Sequence, residues 1–134
     1  MGANRNNRTK TNMSSSAWQV YSLDSLTENL QGNEPQFIEF LRSPALSGAI
    51  YRLPAGSRDK QAPHLEDEIY FVVSGHAWLQ MGAEKREIGP GHILYVRATA
   101  EHSFFNIDED LTLVVIFGPA RPMQVSAKSR LPPG

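Results

Sequence analysis

Apolar and polar residues alternate in short runs over most of the chain, and turn residues separate the runs. Successive side chains of a strand point to opposite faces, so this alternation is typical of strands with one buried face. Many short strands at regular spacing predict an all-β sandwich or barrel. The predicted strands are Trp18–Tyr21, Gln36–Leu41, Leu46–Leu53, Glu68–Val73, Ala77–Met81, Lys85–Ile88, Ile93–Val96, His102–Ile107 and Leu111–Phe117.

One segment near the N-terminus has helical spacing instead. Leu23, Leu26 and Leu30 recur on one helical face, and Ser22 is a favoured N-cap residue. We therefore expect a short helix of about two turns, ended by Gly32. Between the later strands, Ser74-Gly75 and Asp108–Asp110 predict hairpin turns.

The two ends of the chain differ from its middle in composition. Residues 1–16 are almost entirely polar or basic, so they bury too little apolar surface to offset the entropy of ordering. Residues 121–134 are rich in proline. We predict a disordered tail over 1–16, one domain over 17–120, and a loose tail over 121–134.

Composition excludes several classes of protein. The chain of 134 residues has no cysteine, which removes disulfides, zinc–thiolate centres and cysteine nucleophiles. A net charge of −1 gives no electrostatic case for a nucleic-acid or membrane partner. No apolar run is long enough to span a bilayer, and no signal-peptide core is present. We expect a cytoplasmic protein.

Three side chains that can bind metal lie within predicted strands and their flanks. His64 and Glu68 are four positions apart, so in an extended chain they share a face, and His102 follows one hairpin later. Two imidazoles and one carboxylate with open positions suit non-haem iron and related ions. The alternatives are a solvated His–Glu pair and a strand histidine without a ligand role. Glu66 has the same parity and is a further candidate for ligand or base.

These residues resemble two motifs of the cupin superfamily. The first family motif places Gly, His, Glu and Gly at the spacing of Gly56, His64, Glu68 and Gly75. The second places Gly, His and Asn at the spacing of Gly91, His102 and Asn106. The resemblance implies a jelly-roll barrel with a metal or ligand in its mouth, and it implies ligand roles for His64, Glu68 and His102.

The chain departs from both motifs. Ala62 stands where the first motif has its leading histidine, and Arg97-Ala98-Thr99 stands where the second has Pro-x-Gly. A three-residue site remains viable, since catalytic metals often have three protein ligands.

Other residues have candidate roles near the predicted centre. Glu66 and Tyr70 are candidates for proton transfer, and Gln61, Tyr70 and Phe104 are candidates for a substrate pocket. His76 and His92 follow turn glycines and are expected at the surface.

The resemblance implies a range of functions. The favoured hypothesis is an enzyme that uses a divalent ion (Fe, Mn, Ni or Zn) on a small organic molecule, with dioxygenation the favoured reaction. The alternatives are a metal-dependent isomerase, decarboxylase or lyase, a small-molecule-binding protein without turnover, and a structural module. We expect a homodimer, because sheet edges need covering.

Overall fold

The computed structural model describes residues 17–59 and 63–119. The predicted tails over 1–16 and 121–134 lie outside the described residues, as do Gln61 and Ala62. The single domain predicted over 17–120 stays a prediction.

The short N-terminal helix is present. Helix α1 spans Leu23–Thr27, and the Ser25 amide donates a hydrogen bond of 3.0 Å to Ser22 Oγ, which confirms Ser22 as the N-cap. The helix is shorter than predicted. Leu30 lies beyond its end, although the Leu30 amide still donates to the Thr27 carbonyl.

In the part of the chain that the structure describes, six strands follow the helix, and this confirms the all-β prediction. They are β1 (Gln36–Arg42), β2 (Ser47–Leu53), β3 (Asp67–Met81), β4 (Glu84–Ile88), β5 (Ile93–Val96) and β6 (Ser103–Gly118). The segment Trp18–Tyr21, predicted to be a strand, belongs to no strand among the described residues.

All strands join one antiparallel sheet with the order β1-β2-β6-β3-β4. Strand β5 lies on the same side of β3 as β4: β4 pairs with the C-terminal part of β3, and β5 pairs with its N-terminal part. The central pair is β3 with β6, whose register runs from Asp67 opposite Gly118 to Gln80 opposite Ser103. Because β3 and β6 are the longest strands and bend along their length, they connect the two halves of the barrel.

Two predicted hairpin turns are absent, because each lies inside one long strand. Register shifts fall between Val72 and Trp78 of β3, where Gly75 has a φ of +99°. A Cβ on Gly75 would lie 2.1 Å from the Asp110 carbonyl oxygen, so only glycine fits this close approach. The glycine signal was real, but it marks a bulge that bends the strand.

The core lies between the inward faces of these strands. Inward residues of β2, β3 and β6 alternate with outward ones, as in Tyr70 and Val72 of β3 and Leu113 and Val115 of β6. Burying a side chain of this size contributes about 1.5–3 kcal/mol. At one end, the core gives way to buried polar residues, among them His64, Glu68 and His102.

No helix within residues 17–59 and 63–119 is long and apolar enough to cross a membrane. The cytoplasmic location expected from the sequence stays a prediction.

Candidate metal centre

The first histidine is positioned by a bend and not by a strand. His64 lies before β3, and residues 65 and 66 form a bend that leads into Asp67. In an extended strand, residues four apart are about 13 Å apart, too far to share an ion. The burial pattern agrees with the predicted shared face, since His64, Glu66 and Glu68 are buried, but residues 65 and 66 form a bend and not a strand. The bend folds His64 back onto Glu68.

A turn near the second histidine holds this bend in place. The Thr99 amide donates a hydrogen bond of 2.6 Å to the His64 carbonyl, and the Ala98 amide donates one of 2.7 Å to Asp67 Oδ1. Asp67 is exposed and binds backbone through this hydrogen bond. Thr99 has a φ of +66°, a conformation that favours glycine. This explains why the resembling motif has glycine at that position.

His64, Glu68 and His102 meet inside the barrel. His64 Nε2 lies 3.3 Å from Glu68 Oε2, and His102 Nε2 lies 3.4 Å from Glu68 Oε1. The centroids of the two imidazole rings are 6.3 Å apart. The Glu68 and His102 side chains are each only 1% exposed. Glu68 comes from β3, and His102 immediately precedes β6.

Hydrogen bonds fix the orientation of the His102 ring. Nδ1 lies 2.9 Å from the Ala100 carbonyl, which can only accept, so Nδ1 carries a proton. On a neutral ring, Nε2 then has a lone pair, and the Tyr70 hydroxyl lies 3.1 Å from it. A backbone carbonyl on the far nitrogen is the usual support for a metal-binding histidine.

The buried carboxylate shifts the proton affinities around it. Burial lowers the pKa of His102, but contact with the Glu68 carboxylate and with the Ala100 carbonyl outweighs it, so the net shift is upward. Burial and the charge of Glu68 raise the pKa of Tyr70 well above its ordinary value. Tyr70 is therefore a protonated hydroxyl that can donate.

Two imidazoles and one carboxylate are suitable ligands for a divalent ion, although their arrangement is not that of a preformed site. Glu68 Oε1 is buried and accepts no hydrogen bond, and its contact with His102 Nε2 is too long for one. A proton on His102 or a cation beside Glu68 would compensate this buried charge. Within residues 17–59 and 63–119, however, no group of three or more such side chains surrounds one point as a bound ion requires. The imidazoles contact different oxygens of Glu68, so ion binding requires their adjustment.

The remaining predicted residues lie at different distances from this centre. Glu66 is buried, and it lies in the bend just before β3. Phe104 packs edge-on against Tyr70, with ring centroids 5.2 Å apart. His76 and His92 lie outside the cluster: His76 is partly exposed and bound to Asp108 and Glu87, and His92 Nδ1 accepts from the Gly89 amide in a turn.

Sequence reasoning missed Asp59 and Tyr51. Asp59 Oδ1 accepts a hydrogen bond of 2.7 Å from the Tyr51 hydroxyl, and Asp59 Oδ2 accepts one of 2.8 Å from the Phe104 amide. Asp59 thus attaches the segment before His64 to the start of β6, two residues after His102. Burial and the charge of Asp59 raise the pKa of Tyr51. Alternation along β2 places Tyr51 on the inward face, and this could have indicated a role in the barrel interior. Nothing in the sequence links Asp59 to Tyr51.

A surface cavity of about 380 Å³ reaches His102. Its lining is mostly polar and consists of Asp59, Pro63, Gln80, Gly82, Glu101, His102 and Ser103. Small-molecule sites combine a concavity with a few convergent polar groups.

An antiparallel jelly-roll barrel with a His–Glu–His cluster in its interior defines the class as a small cupin. The chain belongs to the cupin superfamily, since the model of the family described as "Cupin domain" matches residues 49–117. This confirms the resemblance of the two motifs.

One relative is similar over most of the chain. The chain is 40% identical over 100 residues to an uncharacterized protein of Streptomyces coelicolor, which covers 75% of this chain and 95% of that protein.

Two solved structures share the fold. A cupin family protein from Methanocaldococcus jannaschii with a double-stranded β-helix fold is 15% identical, with a TM-score of 0.63, covering 78% of this chain and 93% of that one. The DMSP lyase DddQ of Ruegeria pomeroyi is 23% identical, with a TM-score of 0.60, covering 63% of this chain and 47% of that one. At these identities, the likeness shows the fold alone.

Proposed function

We propose that this protein is a metal-dependent cupin enzyme acting on a small organic molecule, with His64, Glu68 and His102 as the ligands of a divalent ion. The observation that carries the proposal is the Glu68 carboxylate, buried between two imidazoles with Oε1 accepting no hydrogen bond. Iron, manganese, nickel and zinc all accept this donor set.

A bound divalent ion would supply Lewis acidity toward substrate oxygens or, in the case of iron, the capacity to activate dioxygen. The Ala100 carbonyl keeps the His102 ring in the tautomer with Nε2 free of a proton. The Tyr70 hydroxyl is a donor in this apolar surrounding, and Glu66 is the nearest buried carboxyl group in sequence. Tyr70 and Glu66 are our candidates for holding or moving a proton.

The substrate would enter through the cavity that reaches His102. Asp59, Gln80 and Ser103 can hydrogen-bond a polar molecule there. Phe104 supplies an apolar wall behind Tyr70, and Gln61 stays a predicted pocket residue. Dioxygenation is the favoured reaction because two histidines and one carboxylate suit non-haem iron. Isomerisation, decarboxylation and lyase chemistry remain the alternatives within the class.

A second candidate is a cupin that binds a small molecule without turnover. Two features favour it: Ala62 replaces a ligand histidine of the motif, and the Tyr70 hydroxyl lies against His102 Nε2, where a ligand lone pair is required.

The test of the metal site is elemental analysis of the full chain. The protein is purified without added metal, reconstituted with iron, manganese, nickel or zinc, and desalted. We expect about one ion per chain, and its loss in His102→Ala and Glu68→Gln. His92→Ala is the matched control, because it removes a histidine from a turn outside the cluster. Stoichiometry near zero with every ion, or an undiminished ion content in Glu68→Gln, would refute the site.

A second measurement separates the enzyme from the binding protein. Small molecules that raise the thermal midpoint of the metal-loaded protein are incubated with it and analysed by mass spectrometry. Conversion that disappears in His102→Ala supports catalysis. Quantitative recovery of every such molecule unchanged supports the binding protein instead.

A further inference from the structure

The polar cavity that reaches His102 is lined mainly by hydrogen-bond acceptors. Asp59 and Glu101 lie in its lining, and an ionised carboxylate can only accept. Gln80 also lines the cavity, and its Nε2 already donates a hydrogen bond of 3.1 Å to the Gly82 carbonyl, whereas its amide oxygen can only accept. A molecule that fills this cavity therefore has to supply donors, since polar groups that are buried without partners cost free energy.

The lining of this cavity also carries negative charge. Its described members include Asp59 and Glu101 and neither a lysine nor an arginine. The buried member is His102, and its Nε2 lies 3.4 Å from Glu68 Oε1, a buried oxygen that accepts no hydrogen bond. A protonated amino group combines three donors with a positive charge, so it complements this lining better than a hydroxyl or a carboxylate does.

Asp59 is held in position by the barrel itself. Its Oδ1 accepts a hydrogen bond of 2.7 Å from the Tyr51 hydroxyl, and its Oδ2 accepts one of 2.8 Å from the Phe104 amide. An ionised carboxylate has about four acceptor positions, more than these two hydrogen bonds use. A carboxylate fixed in this way loses little conformational freedom when a ligand binds to it.

A second cavity, of about 760 Å³, adjoins the first and contains a basic residue. The two cavities share Pro63, Gly82 and Glu101, and Arg97 lines only the second. In the part of the chain that the structure describes, the arginines that form ion pairs are Arg42, Arg52 and Arg86. Arg97 is exposed and is not among them. Its planar guanidinium can therefore bind a carboxylate that comes from outside the described chain.

The two adjoining cavities thus present opposite charges to one ligand. We propose that the substrate is a small amino-carboxylate, whose protonated amino group binds Asp59 and Glu101 and whose carboxylate binds Arg97. This inference rests on the proposed function, since it takes the cavity that reaches His102 as the substrate site. A molecule with both charges gains a charge-assisted hydrogen bond at each end, whereas a molecule with one charge gains it at one end only.

Isothermal titration calorimetry of the full chain, metal-free and metal-loaded, is the first test. The probes are α- and ω-amino acids of increasing length, with butylamine and butyrate as probes of one charge and glycerol as an uncharged donor. We expect at least one amino acid to bind more tightly than butylamine, butyrate and glycerol. Absence of binding by every amino acid, or binding of one of the three other probes that is as tight, would overturn the proposal.

Variants at the two ends of the ligand test the assigned contacts. The loss of one hydrogen bond to a charged group weakens binding roughly tenfold or more, and we expect this for the best amino acid in Glu101→Gln and in Arg97→Gln. Glu84→Gln and Arg86→Gln are the matched controls, because these exposed residues of β4 line neither cavity, and they should bind like wild type. Undiminished binding in either test variant, or an equal loss in a control, would contradict the assigned contacts and overturn the proposal.

Metal content, measured on the same samples, separates this inference from the proposed metal site. Glu101 and Arg97 are not proposed metal ligands, so both variants should take up the ion like wild type, and weaker amino-acid binding then has another cause than loss of the ion. Amino-acid binding by a chain that takes up no ion would support this inference and refute the metal site. Full uptake of the ion without amino-acid binding would refute this inference and leave the metal site in place.

Discussion

At the scale of single residues, the cluster is organised by what surrounds Glu68. The sequence predicted that His64, Glu68 and His102 face inward, and the structure brings them together, while their role as metal ligands stays a prediction. It could not predict the contacts, since His64 reaches Glu68 through a bend and not along a strand. Nor could it predict that the Tyr70 hydroxyl lies on His102 Nε2. Alternation along a strand indicates that a side chain points inward, but it does not indicate which atom that side chain contacts.

Tyr70→Phe tests the importance of this hydroxyl. Removing it leaves His102 Nε2 buried without that donor, and a buried polar atom that loses its partner costs about 1–3 kcal/mol. We expect the free energy of unfolding in urea to fall by that amount in metal-free protein. Tyr21→Phe is the control, because the Tyr21 hydroxyl bonds only to Gln19 in exposed surroundings. Equal stability of Tyr70→Phe and wild type would contradict the assigned hydrogen bond.

At the scale of secondary structure, β3 and β6 determine the shape of the barrel. The sequence predicted their inward positions but divided each strand in two. Glycine beside serine and a run of acidic residues are turn signals, and local propensity cannot separate a hairpin turn from a bulge inside a long strand. The difference is decided by the partner strand, which approaches Gly75 closely and is distant in sequence.

Gly75→Ala tests the bulge. The added Cβ would overlap the Asp110 carbonyl, and the φ of +99° disfavours any L side chain. We expect a loss of at least about 3 kcal/mol in the free energy of unfolding. Gly82→Ala is the matched control: its φ is also positive, at +61°, but nothing lies within 4 Å of the new Cβ. It should lose only about 1 kcal/mol. Similar losses in the two variants would mean that the steric contact at Gly75 is relieved.

Three strands are also joined at the surface by His76. His76 lies on β3. Its Nδ1 is 2.7 Å from Asp108 of β6, and its Nε2 is 2.5 Å from Glu87 of β4. Glu109 of β6 is paired with His76 in the sheet register. The hydrogen bonds with Asp108 and Glu87 raise the pKa of His76, and the bond with His76 lowers the pKa of Asp108. An imidazole flanked by two carboxylates is stabilised in its protonated form.

The pH dependence of this contact has a definite sign. A raised histidine pKa gives stability that is full below the unfolded pKa of about 6.5 and is lost as pH rises through the higher folded pKa. The lowered pKa of Asp108 gives stability that is lost as pH falls through that value. We expect wild type to lose its advantage over His76→Gln as pH rises above about 6.5 and through the higher folded pKa, measured by urea unfolding at each pH. A pH-independent difference between the two proteins would show that the imidazole charge contributes nothing.

At the scale of the whole molecule, the sequence predicted the fold class because alternation and two motifs in register agree with each other. It predicted less of what depends on surfaces meeting at a distance. Asp59 reaches Tyr51 and the Phe104 amide across the barrel mouth, and no local pattern marks that approach.

The proposed ion also has a consequence for the stability of the whole protein. A ligand that binds only the folded state raises the free energy of unfolding by RT ln(1 + [L]/Kd), about 2.7 kcal/mol at one hundred times Kd. We therefore expect urea unfolding of wild type to shift by this amount on addition of the preferred divalent ion, and to return on chelation. His92→Ala should respond like wild type, and His102→Ala and Glu68→Gln should not respond. Since the buried Glu68 carboxylate contacts both imidazoles, a full response in Glu68→Gln would place the ion elsewhere on the molecule.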